Sequence, residues 1–102
     1  MLTYLEAVVS LLPADAGGPL HTIAPRDGSY RPFASARGSR LRIRFIEGPP
    51  LLAPGQAARV VVEVESGGEA IASGAELDLL EHGEAPVGIL TVLRVIREAV
   101  AV

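Results

Sequence analysis

The sequence predicts an all-β domain, and three observations carry that prediction. Apolar and polar residues alternate over short runs, the period of a strand with one buried face. Gly and Pro, 11 and 8 of the 102 residues, mostly fall between those runs and punctuate them. The longest apolar run, near the C-terminal end, is dominated by β-branched residues, which fit a pleated sheet better than a helix.

Residues 2–12 form the first run. Leu5, Ala7, Val9 and Leu11 make one apolar face, Tyr4, Glu6, Val8 and Ser10 a mixed one, and Pro13 ends it. Residues 13–32 are rich in Gly, Pro, Asp and Ser. That stretch is too long for a hairpin loop, so a short strand or an ordered excursion is expected within it. The second run covers 33–36 and is broken by Gly38-Ser39. In the third, 40–47, Leu41, Ile43 and Phe45 alternate with Arg40, Arg42 and Arg44, until Gly48-Pro49-Pro50 stops it. Pro54-Gly55 marks a turn, because Pro pre-sets φ at the second turn position and Gly accepts positive φ at the third.

The fourth run, 59–65, puts Val60, Val62 and Val64 opposite Arg59, Val61, Glu63 and Glu65. Gly67-Gly68 and Gly74 bracket a loop. Residues 75–81 set Leu77 and Leu79 against Glu76 and Asp78, and His82-Gly83-Glu84 turns the chain. Residues 87–97 are apolar on both faces for most of their length. A helix is the alternative there, but Val87, Ile89, Thr91, Val92, Val95 and Ile96 favour a strand buried on both sides. Residues 97–102 are expected to be a frayed end or a helical turn. Six or seven short strands in one domain, 1–102, fit a small barrel or a sandwich. If 40–47 and 58–65 pair antiparallel, one register places Leu41, Ile43 and Phe45 against Val64, Val62 and Val60. It also sets Arg40 and Arg42 against Glu65 and Glu63.

Composition narrows the function classes. There is no Cys, which removes disulfides, thiolate metal sites and a cysteine nucleophile. All nine basic residues are Arg. Without Lys, a phosphate loop ending in Gly-Lys-Ser/Thr cannot form. The net charge of −3 gives no global positive field for nucleic acid. Residues 1–6 lack a basic region before the apolar ones, and no apolar run reaches the ~20 residues of a spanning helix, so a cytoplasmic location is expected.

Arg31, Arg37, Arg40, Arg42 and Arg44 fall within 14 residues, with Arg26 nearby. Such a stripe either contacts phosphates or forms a solvated strand face balanced by Glu63 and Glu65. Tyr30 and Phe33 flank Arg31 and either stack on bases or pack on the core. His21 and His82 lack ligand spacing and read as solvated or locally hydrogen-bonded residues. Glu76, Asp78, Glu81 and Glu84 read as a solvated face. No nucleophile–base pair or metal-ligand set emerges, so no enzyme activity, metal or cofactor is expected.

The order of short motifs adds a further reading. Gly17-Gly18-Pro-Leu-His21-Thr22 is followed by Gly28-Ser-Tyr30-Arg31-Pro32, then Leu52-Ala-Pro54-Gly55-Gln56. Gly74 through Glu81-His-Gly83 comes next, and Val87-Gly88 precedes an apolar last run. In order and spacing, over residues 2–96, this set resembles the third, C-terminal domain of elongation factor Tu. The resemblance implies a six-stranded antiparallel closed barrel with Greek-key connections and no catalytic site. In that family the domain grips the aminoacyl-tRNA backbone, packs on the GTPase domain and meets the exchange factor. The Arg of the family's Tyr-Arg-Pro motif, a tRNA-side residue, matches Arg31, and a glycine near that surface matches Gly88.

Phe33 replaces the family's Gln after Tyr-Arg-Pro, Glu84-Ala85 replaces an Arg-Thr pair, and the tRNA-gripping lysines are missing. The lost Arg and lysines remove positive charge, so a protein partner or self-association is favoured. RNA binding through Tyr30, Arg31, Arg40, Arg42, Arg44 and Gly88 is the alternative.

Overall fold

The computed structural model describes residues 2–36, 38–65, 71–83 and 85–98. Six strands form: β1 (Leu2–Leu11), β2 (Phe33–Ala36), β3 (Ser39–Glu47), β4 (Ala57–Val64), β5 (Glu76–Leu80) and β6 (Gly88–Glu98). They pair antiparallel in the order β1-β4-β3-β2-β5-β6, and the sheet closes into a barrel. Closure gives every strand two neighbours and leaves no open edge. The C-terminal run is a strand because it completes this ring, pairing with β1 on one side and β5 on the other.

The period-two faces meet inside. Leu5, Ala7, Val9 and Leu11 of β1 pack with Leu41, Ile43 and Phe45 of β3 and with Val60, Val62 and Val64 of β4; Leu77, Leu79, Leu90 and Val92 of β5 and β6 join them. All are buried, and Phe45, the bulkiest, is fully enclosed.

Two bulges set the barrel's outer face. Between β3 and β4, Phe45 pairs with Val62 and Glu47 with Val61, so Ile46 is the extra residue. Between β1 and β6, Glu6 pairs with Arg94 and Ala7 with Val92, so Leu93 is extra. A bulge twists its strand and re-aims the side chains that follow.

The β3–β4 register differs from the one expected. Ile43 pairs with Val64, Arg44 with Glu63 and Phe45 with Val62, a shift of two residues from Ile43 against Val62 and Arg42 against Glu63. A two-residue slip keeps every side chain on its own face, so alternation alone does not distinguish the two registers. Arg42 meets the last residue of the run, its carbonyl accepting from Glu65 N–H at 2.9 Å.

The connection 12–32 is an ordered excursion, as its length requires. It opens with a 3-10 turn, Ala14–Ala16, closed by Gly17 at φ 94°. Ile23 then makes an isolated antiparallel bridge with Leu52, with N···O distances of 2.9 and 2.8 Å. Arg97 and Glu98 belong to β6. The Gly67-Gly68 loop and residues 99–102 lie outside the described residues.

Candidate interaction surface

β3 carries its arginines outward because its odd-numbered residues 41, 43 and 45 are buried. Arg40 and Arg42 are exposed and Arg44 is half-buried. The segment entering β2 adds Arg31, and β2 itself adds Phe33. Phe33 pairs with Arg42 across β2 and β3, and Ser35 with Arg40. The structure therefore gathers Arg31, Arg40, Arg42 and Arg44 on one wall. Arg37 lies outside the described residues.

The four differ in their partners. Arg44 Nη2 lies 3.2 Å from Glu63 Oε1, with both side chains largely covered. Arg31 Nη1 lies 3.4 Å from Glu65 Oε1. Arg42 places its guanidinium carbon 5.0 Å from the centre of the Phe33 ring, and Arg40 places its own at 5.8 Å. Arg40 Nη2 also donates to Gly83 O at 3.0 Å. Arg40 and Arg42 have no carboxylate partner among the described residues. Guanidinium–aromatic stacking orients both groups, and Arg40 spends one of its N–H donors on Gly83 O.

Tyr30 is a packing residue. Its ring meets Phe45 edge-on, with centroids 5.2 Å apart. Its hydroxyl donates to Glu81 Oε2 at 2.6 Å. Burial pushes the phenol pKa well above its usual value, and the bond to Glu81 and that carboxylate's charge push it further. Glu81, read as part of a solvated face, is the half-buried acceptor of this bond.

Gly88 stands apart from the arginines. It begins β6, which lies three strands from β3 in either direction around the barrel. It is buried between Leu11 of β1 and Leu79 of β5. A Cβ there would come within 2.6 Å of Ser10 O, so close strand packing accounts for the glycine.

His21 and His82 are exposed. No group of three or more His, Cys, Asp or Glu residues placed to hold a metal ion occurs among the described residues. His21, Asp27, Ser29, Tyr30 and Glu81 line a cleft of about 360 Å³. Its carboxylates are already engaged. Asp27 Oδ1 accepts from Ser29 Oγ at 2.6 Å and from Ser29 N–H at 2.9 Å, which holds its carboxyl below the usual range.

Sequence reasoning missed one ionic cluster. Glu6 on β1 meets Arg59 of β4 at 2.8 Å and Arg94 of β6 at 3.0 Å, tying three adjacent strands. The bulge at Leu93 brings Arg94 opposite Glu6. No helix among the described residues is long and apolar enough to cross a membrane. No protein-family model matches the chain, and no curated protein matches it at a significant level.

Proposed function

We propose that this chain is a non-catalytic protein-binding module of the cytoplasm. The observation that carries the reading is the split of the arginine wall. Arg31 and Arg44, opposite each other at one end, are matched by Glu65 and Glu63, and Arg42 and Arg40, farther along β3, have no carboxylate partner among the described residues. A groove that tracks a nucleic-acid backbone needs a continuous row of unmatched cations. Two unmatched cations beside two ion-paired ones make a short, local patch instead.

The proposed likeness to the third domain of elongation factor Tu supports the same reading. The order β1-β4-β3-β2, in which a long connection leaves β1 beside β4, is a Greek-key arrangement. In that family the barrel docks on other protein surfaces and carries no reaction of its own. RNA-backbone binding through Arg40 and Arg42 is the second reading, and their unmatched charge is what favours it.

Affinity capture from native lysate, with and without ribonuclease, tests the reading alongside a sizing column. The expected result is a protein partner, or a dimer, that survives ribonuclease. A monomer that captures no protein, or whose capture disappears with ribonuclease, overturns it.

A further inference from the structure

On the outer face of β2 and β3, Arg31 and Arg44 are paired with Glu65 and Glu63, while Arg40 and Arg42 have no carboxylate partner among the described residues; exposed Asp78 of β5, opposite Ser35, borders them. The patch is locally positive on a chain of net charge −3. Phe33 at its centre orients Arg40 and Arg42. From this arrangement we infer that the patch docks an extended acidic segment of a partner protein. This inference rests on the protein-binding reading and specifies the partner's chemistry.

Three features single out that occupant. Arg40 and Arg42 are alternate residues of one strand, so their Cα atoms stand about 6.7 Å apart. Carboxylates on alternate residues of an extended peptide repeat at the same spacing, so a Glu-x-Glu segment laid along β3 meets both guanidiniums at once. Guanidinium–carboxylate pairs are strong and directional, and stacking on Phe33 has already ordered the cations. An RNA strand fits less well, since the face of Phe33 that would stack on a base is covered by guanidinium and the neighbouring Arg31 and Arg44 are already paired.

The probe is a labelled octapeptide of alternating Glu and Ser, with its Gln-Ser counterpart as control and labelled octauridylate as the RNA arm, read by fluorescence anisotropy in about 50 mM salt. The Glu-Ser peptide binds and the Gln-Ser peptide does not. Arg40→Gln/Arg42→Gln weakens binding by about tenfold or more, whereas Arg59→Gln/Arg94→Gln, the same change in net charge elsewhere on the barrel, leaves it within about twofold. Circular dichroism establishes that both double variants are folded, and Arg42→Gln alone is the fallback if the first is not.

Equal weakening by the two double variants, no binding of the Glu-Ser peptide, or tighter binding of octauridylate to the same face overturns the inference. If the Arg40→Gln/Arg42→Gln protein still captures the partner that the wild type captures from lysate, this inference fails while the protein-binding reading stands. If the wild type captures none, the broader reading fails.

Discussion

Arg44 and Glu63 face each other across β3 and β4, with Nη2 and Oε1 3.2 Å apart and side chains only 32% and 19% exposed. The pair marks the register between the two strands and removes one cation from the arginine wall. Arg44 Nε is buried without a hydrogen-bond partner among the described residues, so the guanidinium depends on Glu63 for its stabilisation.

Removing both partners is therefore expected to cost less than the sum of removing each alone. Glu63→Gln lowers unfolding free energy by roughly 1 kcal/mol, because a half-covered cation loses its partner. Arg44→Gln/Glu63→Gln costs less than the sum of the single variants by roughly 0.5–1 kcal/mol. Urea denaturation of the four proteins in the cycle measures this. Additive effects would show that the pair contributes nothing.

Tyr30 gives the fold an alkaline weakness. The folded state holds its phenol neutral against Glu81, whereas the unfolded chain ionises it near pH 10. Its stabilisation is therefore complete below pH 10 and is lost as pH rises beyond it, by up to about 1.4 kcal/mol per pH unit. Tyr30→Phe costs about 1 kcal/mol at pH 7 through the lost hydrogen bond and loses less stability above pH 10. Urea midpoints of both proteins from pH 7 to 11.5 test this, and parallel curves would refute it.

Much of the barrel was legible in the sequence. Alternation in residues 40–47 and 59–65 identified the buried faces, and Leu41, Ile43, Phe45, Val60, Val62 and Val64 are all in the core. What alternation carries is parity. The β3–β4 register is settled by the bulge at Ile46 and by the ion pair of Arg44 with Glu63, neither of which leaves a periodic trace. The pairing of Arg40 and Arg42 with carboxylates was expected from the wrong register, and the cations that are matched are Arg31 and Arg44. Glu6 and Arg94 stand 88 residues apart in sequence, and only barrel closure brings them together. Glu84, which stands where the resembled family has Arg, lies outside the described residues.

Gly88 separates a packing role from a surface role. A methyl group there would collide with the Ser10 carbonyl at 2.6 Å, backbone that cannot yield without opening the β1–β6 seam. Gly88→Ala is expected to destabilise the protein by about 2–4 kcal/mol, measured by thermal or urea unfolding. A change below about 0.5 kcal/mol would show that the seam tolerates a side chain and that packing does not explain the glycine.

Of the four described cations of the arginine wall, only Arg40 and Arg42, away from the end that Arg31 and Arg44 share, are open to a partner. The salt dependence of tRNA-pool binding tests it most directly. Each phosphate neutralised contributes about −0.7 to −0.9 to the slope of log affinity against log salt. With Arg31 and Arg44 committed to Glu65 and Glu63, Arg40 and Arg42 alone predict weak binding and a slope no steeper than about −2. Tight binding with a slope of about −4 would mean the whole wall engages phosphate, and would contradict the account.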